Sequence, residues 1–401
     1  MVSHAAQMIH TVRHVIEILA VGGTCASMGY YLLCLWSARD YLRYRKAASI
    51  AASSGSAPNA AFPVSILKPL KGADPEIYET LRSHCLQDYG SYEIVFGVSE
   101  ADDPAVPSVR RLQQEFPEIP IQLVVCSQNL GANTKVSNLV QMLRVARHDV
   151  VIVNDSDIRV DREYLRRVVG PLENPGLGMV TCLYCGIANS SLGSKLESIG
   201  ISTDFAAGVL VARLIEGGVK FGLGSTLAFR KRDLEAVGGF ELLVDHLADD
   251  YEIGKRVAER GLEVRLSEVV VETFLPAYNL RGFFEHQLRW ARTVRDARRG
   301  GHFGLVLTFG LPWALLAVIA SRSAFWSWEL LGVTVLLRLW MAWVVGRVVL
   351  QDAQVVRFLL MIPLRDLAAV LVWIGSFAGN RISWRGDSFR LKDGKLVRIG
   401  S

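Results

Sequence analysis

The chain is poor in cysteine and in charge for its length. Six of its 401 residues are cysteine, and Asp, Glu, Lys and Arg together make up 21%. Cys25 and Cys34 fall in an apolar run, Cys85 and Cys126 stand alone, and Cys182 and Cys185 form a single CxxC within "MVTCLYCGIA". The chain has no second pair and no histidines at ligand spacing, which argues against a structural zinc site, and the six do not make a disulfide framework. The expectation is buried strand cysteines in a reducing compartment. A basic groove interleaved with aromatics is missing, as is a helix-turn-helix pattern, so nucleic acid is not expected as a partner. The net charge of +5 is small. In a membrane protein such an excess reflects cytoplasmic flanking residues.

Apolar residues are abundant, at 51% of the chain, and the mean hydropathy is +0.27. The excess sits at the two ends. Residues 15–36 form an apolar run of about the length that crosses a bilayer. The flank "SARDYLRYRKA", with Arg39, Arg43, Arg45 and Lys46, places the segment after it on the cytoplasmic side. These basic residues lie on the wrong side for a cleaved signal peptide, so residues 1–46 are expected to be a membrane anchor. Residues 47–62, rich in Ala, Ser and Gly, read as a linker. Residues 299–380 are apolar again, with candidate spans at 303–320, 326–350 and 355–378, and residues 381–401 form a basic tail. Arg338, Arg347, Arg357, Arg365 and Asp366 lie in these spans and should face a bundle interior, an interface or headgroups. Three crossings after a cytoplasmic domain would put the basic tail outside, against the charge rule. The stretch "MIPLRDL" is therefore expected to be an interfacial turn.

Residues 63–298 are mixed. "VSILKPL", "YEIVFGVS", "IQLVVCS" and "DVVIVNDSD" read as strands, and "PEIYETLRSHCLQ", "PAVPSVRRLQQEF" and "KVSNLVQMLRVAR" alternate with them as helices. The alternation predicts an α/β domain with a mostly parallel sheet and helices on both faces. Polar chemistry collects at the carboxyl ends of such strands.

Acidic residues stand at those ends. "VIVNDSDIRV" closes an apolar strand with Asp155 and Asp157, two carboxylates on one side because strand side chains alternate. Like charges so close call for a cation, and Mg²⁺ sites keep phosphate and water ligands as well. The bland alternative is an Asp-rich turn. "VSEADDPA" brings Glu100, Asp102 and Asp103 to the end of another strand. "HLADDYEIGKRV" opens a helix with Asp249 and Asp250, which could equally be first-turn capping acids. "NLGANTKVSNL" supplies Lys135, either a phosphate contact or an exposed helix lysine. "FEHQLRWARTVR" holds His286, Arg289 and Trp290 just before the apolar tail, where an interfacial anchor is the simpler reading. Residues 224–226 lie in a small-residue turn that offers backbone contacts.

These stretches together resemble the ceramide glucosyltransferase family and its bacterial hopanoid-modifying relatives. "SILKPLKGADP" is similar to the family's first strand and loop. "ADDPA", "NDSDIRV" and "ADDYEIGKRV" are similar to its three aspartate motifs, matching Asp103, Asp155 and Asp250. "HQLRW" is similar to its (Q/R)xxRW motif, matching Arg289 and Trp290. The resemblance implies a GT-A fold (Rossmann-like), an inverting mechanism, a UDP-sugar donor and a divalent cation, Mg²⁺ or Mn²⁺. It implies a lipid acceptor, ceramide or the hopanoid bacteriohopanetetrol, reached from a cytoplasmic catalytic domain at the plasma membrane if the source is bacterial. Asp155 and Asp157 are expected to hold the metal, and Asp102 or Asp103 to meet uracil or ribose. Lys135, Arg289 and Trp290 are expected at the donor, and Asp250 is the expected general base. His286 replaces the Gln or Arg that opens the last motif, and Asp-Ser-Asp replaces the Asp-Ser-Gly of animal enzymes; both departures lean toward the hopanoid type. A polysaccharide synthase and a non-catalytic nucleotide-sugar-binding membrane protein rank below these readings.

Overall fold

The computed structural model describes residues 2–53, 62–384 and 387–399. An eight-stranded mixed sheet forms the centre: β1 (Val64–Pro69), β2 (Tyr92–Val98), β3 (Ile121–Val125), β4 (Val150–Val153), β5 (Ile158–Arg159), β6 (Leu177–Ile187), β7 (Leu227–Arg230) and β8 (Glu263–Phe274). Their order is β3-β2-β1-β4-β7-β6-β8-β5. The first four strands are the parallel unit read from the sequence. β1 and β4 are buried at every position, as strands covered on both faces must be. Beyond β4 the sheet departs from that reading. β7 pairs antiparallel with β4 and β6, and β5 pairs antiparallel with β8, while β6 and β8 run parallel.

Strand order reverses between β1 and β4, and at such a switch point a crevice opens outside the carboxyl ends. The antiparallel β7 adds to it. Val153 lies opposite Leu227, so residues 224–226 emerge beside Asp155. Asn154, fully buried, fixes this junction by donating to the Ser225 carbonyl (2.6 Å) and to the Tyr164 hydroxyl (2.8 Å).

Among the described residues three helices are long and apolar enough to cross a membrane: Gln7–Ala48, Leu192–Ile215 and Phe325–Val349. The first belongs to the continuous helix Val2–Ser53, which extends into the segment expected as a linker; residues 54–61 lie outside the described residues. The second was not read from the sequence and is largely enclosed by protein. The expected span at 303–320 is a pair, Arg299–Thr308 and Gly310–Ala320, bent by 51°. The expected span at 355–378 is broken. Helix Gln354–Phe358 gives way to a 3-10 turn at Leu359–Met361, and helix Ile362–Ser376 restarts with its proline in the first turn. The break falls at "MIPLRDL".

Three of the five charges in these segments, Arg338, Arg365 and Asp366, pair inside the protein. Arg338 binds Asp366 (2.8 and 3.1 Å) and Asp204 (2.5 Å), and Arg365 reaches Gln287 (3.0 Å) and Asp204 (3.6 Å). Arg347 and Arg357 are exposed.

The basic tail forms a three-stranded antiparallel sheet: β9 (Arg381–Trp384), β10 (Asp387–Lys392) and β11 (Lys395–Arg398). Ile382, Phe389, Leu391 and Leu396 pack on Leu247. The Leu396 amide donates to the Asp245 carbonyl (2.7 Å) and the Leu247 amide to the Gly394 carbonyl (3.2 Å). The tail therefore lies on the same side as the central sheet. This removes the conflict between span count and charge, because the broken third segment need not cross.

Candidate active site

Asp155 follows β4, and Asp250 stands in the first turn of helix Asp249–Glu259. Glycines bring them together. Gly222 lies under that helix, its amide bonded to the Asp250 carbonyl (3.1 Å). A β-carbon on Gly222 would stand 2.6 Å from that oxygen, so the close approach requires glycine. Two residues on, the Gly224 amide donates to Asp250 Oδ2 (2.7 Å). The place a β-carbon on Gly224 would occupy is 2.8 Å from Asp155 Oδ2 and 3.3 Å from Asp250 Oδ2. Both carboxylates thus converge on one point.

Lys135 sits in the first turn of helix Thr134–Val145, whose N-cap Asn133 also donates to the His246 carbonyl (2.7 Å). Its ammonium bridges Asp155 (2.8 Å) and the buried Asp249 (3.1 Å). It is not an exposed helix lysine. Burial works against its charge, but Asp155, Asp249 and Asp250 outweigh that and hold its pKa above the ordinary value. Burial, reinforced by Asp249 and opposed by Lys135, pushes the Asp250 carboxyl up to about 6. Burial and the neighbouring Asp155 likewise push Asp157 up to about 6, although the Thr273 hydroxyl donates to it (2.7 Å).

The loop after β1 joins the acidic corners. Gly72 and Ala105 donate backbone N–H groups to the Asp103 carboxylate (3.0, 3.1 and 2.8 Å). Asp74, in the same loop, accepts from the Ser156 hydroxyl. Asp103 therefore ties the β1 and β2 loops together, while Asp102 beside it is exposed. Asp74 and Asp249 were not singled out as site residues. Both lay within quoted motifs, but only the fold shows what they touch.

Arg289 and Trp290 lie on helix Leu280–Ala297. A chain of rings leads from the acidic pocket to this helix. Tyr184 meets Phe205 (centroids 5.2 Å), Phe205 meets Trp290 edge-on (5.7 Å), Trp290 meets His286 (5.9 Å), and His286 stacks on Tyr278 (5.2 Å). Burial raises the Tyr184 phenol pKa, and Asp250, Asp155, Glu197 and Asp157 add to it. Burial, with Glu197, Asp157 and Asp74 and against the pull of Arg289, likewise pushes Tyr278 up to about 12. The two tyrosines therefore feel the acidic pocket at opposite ends of the ring chain. Phe205 belongs to the π-helical turn Ile201–Phe205, within a helix that packs against the anchor through Arg213 and Asp40 (2.7 Å).

The sequence model of glycosyl transferase family 21 matches residues 19–397. The chain belongs to glycosyl transferase family 21. It is 24% identical to ceramide glucosyltransferase 3 of Caenorhabditis elegans over 353 residues, 83% of this chain and 74% of the relative. It is 26% identical to ceramide glucosyltransferase 1 of the same organism over 260 residues, 62% of this chain and 55% of the relative. Among solved structures it is similar to a mannosyltransferase from Pyrobaculum calidifontis in complex with GDP-Man and Mn²⁺. That similarity has a TM-score of 0.53 and 20% identity, and covers 90% of this chain and 99% of that one. The fold is thus the GT-A glycosyltransferase fold, and the chain is a family 21 glycosyltransferase related to the ceramide enzymes.

The acidic loop offers two carboxylates, Asp155 and Asp157, to a divalent cation. Asp155 is 40% exposed at its side chain, and Asp157 carries a raised pKa that a cation would relieve. Among the described residues no three His, Cys, Asp or Glu side chains are grouped to hold an ion. Two carboxylates leave most of an octahedral shell to other ligands, as in ions held jointly with a substrate diphosphate and water.

Proposed function

We propose that this family 21 enzyme transfers a sugar from a UDP-sugar to a lipid hydroxyl, with inversion, at the cytoplasmic face of a membrane. The observation that carries the reading is the convergence of Asp155 and Asp250 beside Gly224, in a protein whose apolar helices pack directly on the domain that holds this pocket. An acid loop for the donor and a separate carboxylate for the acceptor are what a single displacement needs. The similarity to ceramide glucosyltransferases supports a lipid acceptor.

Asp155 and Asp157 would hold the divalent cation, Mg²⁺ or Mn²⁺, which when bound supplies positive charge to a departing diphosphate. Lys135, already between Asp155 and Asp249, supplies cationic charge beside them, and Arg289, on the helix that carries Trp290, would add more at the donor. Asp103 holds the loop that would receive the nucleoside, and exposed Asp102 is free to accept from uracil or ribose. Asp250 is the base. Two backbone N–H groups, from Gly224 (2.7 Å) and Tyr251 (2.8 Å), orient its carboxylate. With a pKa of about 6 it is ionised at neutral pH yet basic enough to take the proton of an attacking alcohol. Trp290, with Phe205 and Tyr184, would form the wall along which the acceptor reaches Asp250.

A ceramide-type acceptor is the first reading. A hopanoid polyol is the second, favoured by His286, which faces Trp290 and Tyr278 where the family's opening Gln or Arg would stand. The test is incubation of the purified protein with a panel of UDP-sugars, each with ceramide or bacteriohopanetetrol, read by mass spectrometry. The proposal requires a glycosylated lipid with at least one pair. UDP-sugar binding with no lipid product from any pair contradicts it.

A further inference from the structure

Lys68 is fully buried in β1, although lysine is a costly residue to bury. Burial lowers its pKa to about 7, against the pull of Asp157, Asp155 and Asp74, and in the protonated form each of its three ammonium protons has an acceptor. Nζ lies 2.9 Å from the Asp155 carbonyl, 3.4 Å from the Ile158 carbonyl and 3.4 Å from His84 Nε2. A lysine ammonium only donates, so His84 Nε2 accepts. His84 Nδ1 then carries the ring proton and donates to the Thr80 carbonyl (3.0 Å). Burial, and next the ammonium beside it, hold His84 well below its ordinary pKa, in keeping with a neutral ring.

The same loop is held at every residue. The Thr80 hydroxyl shares its one proton between the Ser156 carbonyl (3.0 Å) and the Ile77 carbonyl of its own helix (2.8 Å). The Phe274 amide donates to the Asp157 carbonyl (3.1 Å). With the two Lys68 contacts, the four consecutive carbonyls from Asp155 to Ile158 are each tied to a donor in β1, in the helix Ile77–Cys85 or at the end of β8. The loop's backbone is thus gripped through its carbonyls, and the carboxylates are held by separate contacts, Asp155 by Lys135 and Asp157 by Thr273. Carbonyl contacts of this kind fix where a side chain starts without consuming it.

We infer that Lys68 and Thr80 form a carbonyl clamp that positions the Asp155 and Asp157 carboxylates for a cation shared with the donor diphosphate. The inference rests on reading those two carboxylates as the cation's protein ligands. Lys68 is a positioning residue and touches neither donor nor acceptor. Two effects of removing it oppose each other. Loss of a nearby positive charge would tighten cation binding, whereas loss of the loop's fixed geometry would weaken it. The clamp predicts that geometry wins.

The experiment is Mn²⁺ binding in the presence of UDP, followed by electron paramagnetic resonance, on the full-length protein in detergent, with thermal melts in parallel. Wild type should bind, and D155N should not. K68M should weaken Mn²⁺ binding by about 10–100-fold, as loss of a group that orients a metal ligand typically does. T80V removes one hydroxyl at nearly constant shape and should weaken it by about fivefold, the equivalent of one ordinary hydrogen bond, with a melt lowered by no more than a few degrees. T80V keeps the test decisive if K68M does not fold. Turnover should show a raised KM for the donor and an unchanged KM for the acceptor. Unchanged or tighter Mn²⁺ binding in K68M, or in T80V where only that variant folds, would overturn the clamp and leave the ligand assignment standing. Wild type that binds no Mn²⁺ with UDP, or D155N that binds it normally, would overturn the ligand assignment itself.

Discussion

Replacing Asp250 by asparagine should slow turnover severely and stabilise the protein at once. The folded-state pKa is raised from 3.8 to about 6, about two units, which corresponds to roughly 3 kcal/mol. The sign follows from linkage. A carboxyl whose pKa is higher folded than unfolded binds its proton more tightly in the native state, so ionising it disfavours folding. At pH 7 the carboxyl is charged in both states and the full penalty stands. As pH falls through 6 toward 4 the native carboxyl protonates first, and the penalty disappears. The asparagine side chain carries no charge at any pH; its amide oxygen can still accept from Gly224, while its NH2 group then faces the Tyr251 N–H and offsets part of the gain. D250N should therefore melt a few degrees higher than wild type at pH 7. The gap should shrink to about half near pH 5 and close near pH 4. Removal of a general base should lower kcat by about 10²–10⁴-fold. The assay pairs thermal melts across pH with turnover on the same metal-free stocks, cation being added only for turnover. A variant that turns over like wild type refutes the base assignment. A variant less stable than wild type at pH 7 refutes the electrostatic argument.

Other perturbations probe neighbouring parts of the site. Wild-type kcat/KM should fall as pH drops below about 6, where Asp250 protonates. K135M removes a cation that lowers that pKa, so the acid limb should move to higher pH; an unmoved limb would show that Lys135 and Asp250 are uncoupled. G224A places a methyl group between Asp155 and Asp250, and a displacement of about 1 Å in such a site costs about 10²-fold in rate. Its melt should stay near wild type, and undiminished turnover would mean that the shared point is not where the reaction occurs. F389A empties a fully buried position in the tail sheet, at about 3–5 kcal/mol. It should free the tail to added protease and reduce turnover, because β11 braces residues 245–247 just before Asp249; full activity with a digested tail would show the brace to be dispensable.

The sequence read well wherever local pattern and chemistry agreed. Apolar strands alternating with helices gave the parallel unit β1 to β4, and strand ends gave Asp103 and Asp155. Asp250 was legible as an acid at a helix start, but only the Gly222 and Gly224 contacts bring it against Asp155. Features that depend on distant partners were not legible. β7 could not be assigned its antiparallel place between β4 and β6, because pairing direction is set by a connection running through the helices of residues 192–215. That helical stretch was missed as well, since its apolar character is shared between sheet and anchor. The tail sheet did leave a local signal. "KDGK" holds Asp393 and Gly394, both at positive φ (52° and 77°), between alternating strands, which is the mark of a tight hairpin. Its basic residues drew attention to topology instead. Lys68 looked like part of a motif string. Nothing in the sequence shows that its ammonium lies beneath the Asp155 loop.

The central claim is that one pocket holds a donor on Asp155 and Asp157 while Asp250 deprotonates a lipid alcohol for a single displacement. Its most direct test is the anomeric configuration of the lipid product, determined by nuclear magnetic resonance, from an α-linked UDP-sugar turned over by the purified wild-type protein. The account predicts a β-linked glycolipid. An α-linked product, or release of free sugar with the lipid untouched, would contradict it.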